Sequence, residues 1–163
     1  IRNQGQEGRY NHTHLGNNFR ITDILAAIGI EQLKKIDYIL DEKVKLAEFY
    51  KKSFKNNKFV EPPFVPDYVN RPSWYMYGIK VNESRRDKLM KYLEKNSIEC
   101  RLSFPPVHIQ PYFKNKYSFD EHDYPIAYKS FKTFLDIPIW AGIQEKKLTY
   151  IVEKINTFLS KEK

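Results

Sequence analysis

The feature that most constrains this chain is a long helical pattern between Thr22 and Phe54. Apolar residues recur there at the spacing of one helix face, and no proline interrupts the pattern before Pro62. Thr22 suits the N-cap position, and Asp23 suits the positive end of a helix dipole. The pattern therefore predicts one long helix from about Thr22 to Phe54.

Shorter elements follow this helix. Residues 61–73 contain too much proline for a helix or a central strand, so we expect a surface connection there. Residues 75–81 alternate with the two-residue period of a strand. Residues 83–96 have a helical pattern, and residues 97–102 are expected to form a second strand.

The remainder is mostly helical by pattern. Three prolines predict irregular structure in 103–113. A helix in 123–134, an extended segment in 135–140 and an amphipathic closing helix in 143–159 complete the chain. The order predicts an α/β fold, in which the long helix packs on a short, mostly antiparallel sheet with further helices covering one face.

Composition excludes several classes of protein. No run approaches the roughly 20 apolar residues of a membrane span, so no membrane association is expected. Cys100 is the only cysteine, which excludes an internal disulfide and a cysteine-based zinc site and indicates a reducing compartment, by default the cytoplasm. Because the chain begins at Ile1, without methionine or a signal pattern, we expect it to be a piece of a longer protein.

The positive charge does not indicate a nucleic-acid partner. Lys and Arg number 28 against 20 Asp and Glu, a net charge of +8. The basic residues are interleaved with acids along the chain, however, which is the pattern of solvated helix faces. We therefore expect no nucleic acid among the partners.

Motifs for common chemistry are missing from the sequence. It has no glycine-rich phosphate loop, no His-Glu zinc signature and no serine nucleophile elbow. His12 and His14 would share one face of a strand, but no further ligand accompanies them at the right spacing, so we expect no metal.

Two places remain as candidate sites. Asn18 and Arg20 come just before the predicted helix, where free N–H groups and the helix dipole attract phosphate or carboxylate. The alternative is that Asn18 only caps a turn while Arg20 pairs with a surface acid. Arg101 and His108 flank a rigid proline loop, which either positions binding groups or only turns a corner.

Several ordered motifs resemble the DegT/DnrJ/EryC1/StrS family of pyridoxal-phosphate sugar aminotransferases. "RYNHTHLGNNFRITDILAAIGIEQL" is similar to a family segment that reads roughly Y-x-H-x-x-L-G-x-N-Y-R-x-T-D-x-x-A-A-I-G-x-x-Q-L. "IECRLSFPPVHIQPYF" and "DYPIAYKSFKTFLDIPIW" resemble later family motifs, and the resemblance covers essentially the whole chain. The loop containing His108 most resembles perosamine synthases, which aminate a GDP-linked 4-keto-6-deoxyhexose. The positions that match the first motif are Tyr10, His12, Leu15, Gly16, Asn18, Arg20, Thr22, Asp23, Ala26, Ala27, Gln32 and Leu33.

This resemblance implies the C-terminal small-domain part of an aspartate-aminotransferase fold, fold type I. It implies that 1–21 ends the large cofactor-binding domain and that 22–163 forms the long helix and small domain. The lysine that holds the cofactor would lie upstream, so this chain carries no catalytic residue. We expect residues 1–21 to be extended, because their packing partners would belong to the large domain.

The resemblance also implies roles for individual residues. Asn18 and Arg20 would bind the phosphate of pyridoxal 5'-phosphate held by the neighbouring subunit of a homodimer. His12, Arg101 and His108 would lie on the side of a nucleotide-sugar substrate, with glutamate as amino donor. Two alternatives stay open: a sugar 3-dehydratase of the same fold, in which a histidine replaces the cofactor lysine, and a non-catalytic interaction fragment.

Three positions depart from the family pattern, one of them His14, which stands where an apolar residue is common. Ser97 stands where glycine is usual after a helix, so we expect the left-handed residue of that helix end to be Asn96 instead. Lys43 stands where the long helix usually has arginine.

Overall fold

The structure is a computed structural model that describes residues 3–102 and 104–161. The described chain forms two compact units, one reaching Tyr38 and one starting at Ile39, with the boundary inside a helix. The elements are α1 (Asp23–Leu33), α2 (Ile36–Phe54), β1 (Val60–Glu61), β2 (Tyr77–Val81), α3 (Glu83–Lys95), a 3₁₀ helix (Val107–Ile109), α4 (Pro111–Tyr117), α5 (Pro125–Thr133), β3 (Phe134–Ile137) and α6 (Glu145–Lys161).

The prediction of one long helix is wrong, because α1 and α2 are separate. The Thr22 side chain accepts a hydrogen bond from the Leu25 N–H at 3.4 Å, which confirms it as N-cap. The break falls at Lys34 and Lys35, where the Lys35 N–H donates to the Gln32 carbonyl, three residues back, at 3.0 Å. Such a bond tightens and ends an α-helix. The sequence pattern continues across this break, so it gave no sign of it.

The sheet has three antiparallel strands in the order β1-β2-β3, as predicted for a short antiparallel sheet. In β2, Tyr77, Ile79 and Val81 are buried, which confirms the predicted alternation. The second strand predicted in 97–102 does not form. Arg101 alone makes an isolated antiparallel bridge, to Asp136, before the chain turns away toward Pro105.

Helical structure occupies part of the region predicted to be irregular. The 3₁₀ helix and α4 lie within 103–113 and just beyond it, while Ser103 lies outside the described residues. Pro111 begins α4, where its missing N–H is not needed by the helix. The predictions of α3, α5 and α6 and of an extended segment at β3 are confirmed.

The hydrophobic core lies in the second unit, where α2, α3 and α6 contribute side chains beside the sheet. Tyr50, Leu89 and Ile155 represent the three helices and are fully buried. Arg86 is also buried, and its guanidinium donates to the carbonyls of Phe131 at 2.8 Å and Phe134 at 3.0 Å. The side chain of Arg86, in α3, thereby satisfies backbone carbonyls at the junction of α5 and β3.

The end of α3 differs from the expectation, because Ser97 and not Asn96 is left-handed. Ser97 has φ 60° whereas Asn96 has φ −100°. The N–H of Ile98 donates to the Leu93 carbonyl and the N–H of Ser97 to the Glu94 carbonyl, each at 3.0 Å. This is a Schellman motif, which requires the left-handed residue directly after the helix cap. Serine therefore occupies a conformation that glycine adopts more readily.

Among the described residues, no helix combines the length and the apolar character needed to cross a membrane.

Candidate functional site

Residues 3–21 fold back on themselves, so the prediction of an extended segment is wrong for the described part. Isolated antiparallel bridges pair Asn3 with Asn18 and Gln6 with His12. Gly5 is buried between them at φ 71°, where a Cβ atom would lie 1.7 Å from the His14 carbonyl oxygen. Only glycine allows this close approach. The fold-back gives Asn18 a backbone partner, although its side chain stays exposed.

Both ring nitrogens of His12 are engaged within this segment. His12 Nδ1 lies 3.0 Å from the Gln4 carbonyl oxygen, and Gln6 Nε2 lies 3.1 Å from His12 Nε2. The carbonyl can only accept, so Nδ1 is the donor to it, while Nε2 faces the Gln6 amide. These contacts fix the plane of the His12 ring at the surface of residues 3–21 and engage both of its nitrogens.

Asn18 and Arg20 form a pair that presents only hydrogen-bond donors. Arg20 Nε donates to Asn18 Oδ1 at 2.9 Å, and both side chains are exposed. Because the amide oxygen is occupied, Asn18 Nδ2 and the two terminal guanidinium nitrogens of Arg20 remain to donate elsewhere. One positive charge with several outward donors suits a phosphate or carboxylate.

Neither part of the structural alternative for this pair is observed. Thr22, not Asn18, provides the side-chain cap of α1. Within the described residues, Arg20 makes no ion pair with an acid. In the part of the chain that the structure describes, no acid accounts for these donors, which are open to solvent or to an external anion.

The second unit contains an open groove of about 1000 Å³ at the end of the sheet. Tyr75 and Met76, which precede β2, form part of its wall, and residues 138–140, which follow β3, form the neighbouring part. The end of α3 and the first turns of α6 complete the groove. Lysines of α3 and α6 and several exposed aromatic rings line it, among them Lys95, Lys147, Tyr75, Phe104 and Trp140.

Arg101 lies in this groove. Its backbone is bridged to Asp136 of β3, with N···O distances of 3.1 and 2.9 Å. Its side chain is 78% exposed and contacts only Glu99, at 3.5 Å, among the interactions found in the described chain. The bridge thus fixes the backbone of Arg101 while its guanidinium is left available to a ligand.

His108 is placed differently, buried beside the groove and not in its lining. Only 7% of His108 is exposed, and its ring lies 4.9 Å from the ring of Tyr124. Its buried Nε2 has no hydrogen-bond partner among the described residues. A buried imidazole nitrogen without a partner is costly, so a group outside the described residues is needed to satisfy it.

Sequence reasoning missed the aromatic lining of the groove. Tyr75 and Trp140 flank strands, and Phe104 lies in the proline loop, so the three are far apart in sequence. Tyr75 precedes β2 and is 77% exposed, which an alternation pattern does not reveal. The only sequence signal is a set of aromatic residues at strand ends beside proline.

The structure gives no support for a metal site. Within residues 3–102 and 104–161, no group of three or more His, Cys, Asp or Glu side chains is placed to hold a metal ion.

Helix α1 has apolar residues on its exposed surface. It buries no residue, and five of its apolar side chains are more than half exposed: Ile24, Leu25, Ile28, Ile30 and Leu33. Exposed apolar area of this kind marks an interaction surface.

Comparison with known proteins decides the family. The model of the DegT/DnrJ/EryC1/StrS aminotransferase family matches residues 1–156. The chain belongs to that family. The DegT/DnrJ/EryC1/StrS assignment agrees with the motif that contains Asn18 and Arg20 and with the fold of the second unit.

Relatives of this family match nearly the whole chain. GDP-perosamine synthase of Escherichia coli O157:H7 is 31% identical over 152 residues, which cover 93% of this chain and 40% of that protein. DesV of S. venezuelae has a TM-score of 0.87 at 23% identity, covering 96% of this chain and 42% of the other. Spr1654 of Streptococcus pneumoniae, in its PLP-form, has a TM-score of 0.84 at 22% identity, covering 98% and 41%.

These structures confirm fold type I, the aspartate-aminotransferase fold, of which the chain covers a part. The chain spans about two fifths of the length of the relatives it matches.

Proposed function

We propose that this chain is the C-terminal part of a cytoplasmic, PLP-dependent aminotransferase that transfers an amino group from glutamate to a nucleotide-linked 4-keto-6-deoxy sugar. The observation that carries the proposal is the outward-facing donor pair Asn18 and Arg20 in a member of a sugar aminotransferase family. Aminosugars of this kind serve surface polysaccharides, and a relative of this chain is a GDP-perosamine synthase.

The residues present fit the phosphate of pyridoxal 5'-phosphate. The Arg20 hydrogen bond orients the Asn18 amide so that its N–H groups face outward, and the guanidinium adds a charge. When bound, pyridoxal phosphate carries the amino group between donor and acceptor. In this chain, Asn18 and Arg20 hold the phosphate and thereby keep the cofactor from dissociating while the exchange takes place.

We assign the pair to the site of the neighbouring subunit in a homodimer. The exposed apolar face of α1 supports this arrangement, because it follows the pair directly and offers a surface on which another part of the complete enzyme can pack. We also propose that residues 1–21 form the end of the large cofactor-binding domain.

Three further residues contact or position the sugar substrate in this proposal. The exposed guanidinium of Arg101, which contacts only Glu99 among the described residues, suits a phosphate of the nucleotide, since arginine binds phosphate in a bidentate way. The unpartnered Nε2 of His108 suits a ligand or a residue of the missing part. His12 lies in the same folded-back segment as Asn18, and its ring is held by Gln4 and Gln6.

The direct test is an assay of the complete enzyme with cofactor, glutamate and a GDP-linked 4-keto-6-deoxyhexose. Amino transfer converts the ketone to an amine and glutamate to 2-oxoglutarate, and mass spectrometry detects both products. A dehydratase would instead remove the 3-hydroxyl group from the sugar, and an interaction fragment would leave the sugar unchanged. Either result contradicts the proposal.

A mixing experiment tests the assignment across the interface. A subunit that lacks the cofactor lysine is combined with a subunit that carries Asn18→Ala. If Asn18 serves the neighbouring site, the intact lysine receives its asparagine from the lysine-deficient partner, and activity returns. If Asn18 serves its own subunit, no site in the heterodimer is whole. Inactive mixtures with proven heterodimers would contradict the assignment.

A further inference from the structure

Trp74 has an unusual backbone conformation at the edge of the groove. Its φ is 47°, in the left-handed region that bulky side chains rarely adopt. The next two residues, Tyr75 and Met76, form part of the groove wall. Backbone strain of this kind persists only where surrounding contacts enforce it, and it is concentrated at functional sites.

Lys43 of α2 is the contact that holds this conformation. Its Nζ donates to the Trp74 carbonyl at 3.1 Å, from a half-buried position. The Trp74 ring also packs on Tyr77, with ring centroids 5.3 Å apart. These two contacts hold the carbonyl and the ring of Trp74. The next residue, Tyr75, is 77% exposed.

The same helix also holds the segment that follows β3, through Tyr50. The Tyr50 hydroxyl donates to the Pro138 carbonyl at 2.8 Å, and its ring lies 5.0 Å from the ring of Tyr77. Pro138 and Trp140 both line the groove. A continuous series of contacts therefore runs from Lys43 through Trp74, Tyr77 and Tyr50 to Pro138.

We propose that Lys43 and Tyr50 are positioning residues that fix the neighbouring segments before β2 and after β3 and so determine how the groove accepts its ligand. That the ligand is the nucleotide-sugar substrate rests on the function proposed above. Neither residue lies among those that line the groove, so both act through Trp74 and Pro138.

The test uses the two tryptophans of the chain, Trp74 and Trp140, labelled as 5-fluorotryptophan in the complete enzyme. The Lys43→Met variant should shift the fluorine resonance of Trp74, because methionine cannot donate a hydrogen bond to the Trp74 carbonyl. It should also shift that of Trp140, which lies in the segment after β3 that Tyr50 holds. Tyr50→Phe should shift Trp140 while the ring packing is kept.

Controls separate positioning from general damage. Lys52→Met changes an exposed lysine of the same helix and should move neither resonance, while Lys43→Arg keeps a donor and should restore both. In activity assays, Lys43→Met should raise KM for the sugar by about tenfold and leave kcat near the wild-type value.

An unmoved Trp140 resonance in Lys43→Met and Tyr50→Phe would overturn the proposal, as would an unchanged KM. If the wild-type enzyme transfers no amino group, the proposed function fails, and the fluorine measurement alone then decides the positioning claim.

Discussion

At the scale of single residues, burial decides which side chains can do chemistry. Cys100 lies in the core, and burial, reinforced by the negative charges of Glu94, Glu99 and Asp136, raises the pKa of its thiol to about 12. The thiolate is the reactive form of cysteine, so this thiol is inert at neutral pH.

We predict that Cys100 resists alkylation by iodoacetamide at pH 8 in the folded chain and reacts fully in guanidinium chloride. The measurement is the mass of the chain after brief exposure in each condition. A free-cysteine peptide serves as the control for reagent strength. Rapid alkylation of the folded chain would show that the thiol is accessible and that the core is open at this point.

Individual binding residues differ in how far sequence can predict them. Asn18 and Arg20 belong to an ordered motif, so the sequence identifies them. Their mutual hydrogen bond is local, whereas the fold-back that contains Asn18 comes from pairing with Asn3, 15 positions earlier, which no local pattern indicates. Lys43 and Trp74 are 31 positions apart, and no local pattern relates them.

At the scale of elements, the end of α3 shows a local cost that one substitution can remove. Ser97 is left-handed, a conformation that costs a residue with a Cβ atom about 1–2 kcal/mol. Glycine avoids this cost, but it loses more conformational entropy on folding, which offsets about 0.5–1 kcal/mol of the gain. We predict that Ser97→Gly stabilises the chain by about 0.5–1 kcal/mol, measured by urea unfolding.

The control for this change is Ser130→Gly in α5, where the backbone is helical. Ser130→Gly should lower the free energy of unfolding by about 0.5 kcal/mol, because glycine has a lower helix propensity than serine and relieves no strain at this position. A loss of stability in both variants would mean that Ser97 is not held in the left-handed region.

Elements with strong local signals can be predicted and others cannot. Asn82 caps α3 and accepts from the Ser84 N–H, and this polar start is visible in the sequence. The break between α1 and α2 has no such signal, because Lys34 and Lys35 both favour helices. The strand predicted in 97–102 fails because strand formation needs a continuous partner, and only Arg101 pairs.

At the scale of the whole molecule, buried phenols and the buried thiol make the fold sensitive to alkali. Burial is the main cause that raises the pKa of Tyr50 and Tyr77 above the ordinary value of 10.0, and Cys100 rises from 9.0 to about 12. In the unfolded chain these groups lose protons first. Stability is therefore fully present below about pH 9 and falls as the pH rises toward the folded pKa values.

We predict a decline in unfolding free energy that begins between pH 9 and pH 10, the range of the ordinary pKa values of these groups. Each group contributes a slope of up to about 1.4 kcal/mol per pH unit. Urea unfolding at a series of pH values measures this slope. The Cys100→Ala variant should start its decline nearer pH 10, whereas a flat profile up to pH 11 would contradict the prediction.

The overall architecture could be predicted from the sequence more fully than the site. The order of helices and strands and the ordered motifs together identify the fold, which the family match confirms. The groove could not be predicted in this way, because its walls come from the ends of β2 and β3 and its shape depends on packing.

The central claim is that Asn18 and Arg20 hold the cofactor phosphate, and cofactor retention measures it directly. The complete enzyme is loaded with pyridoxal 5'-phosphate and dialysed, and the remaining cofactor is read from its absorbance. A hydrogen bond to a charged group contributes about 1.5–3 kcal/mol, so Asn18→Ala and Arg20→Ala should each weaken retention roughly ten- to a hundredfold.

The matched control is Asn17→Ala, a neighbouring exposed asparagine whose backbone carbonyl, not its side chain, accepts a bond from the Gln4 N–H. Circular dichroism should show that all three variants fold. We expect normal retention in Asn17→Ala and loss in the other two. Equal retention in all three would contradict the claim that this pair binds the cofactor.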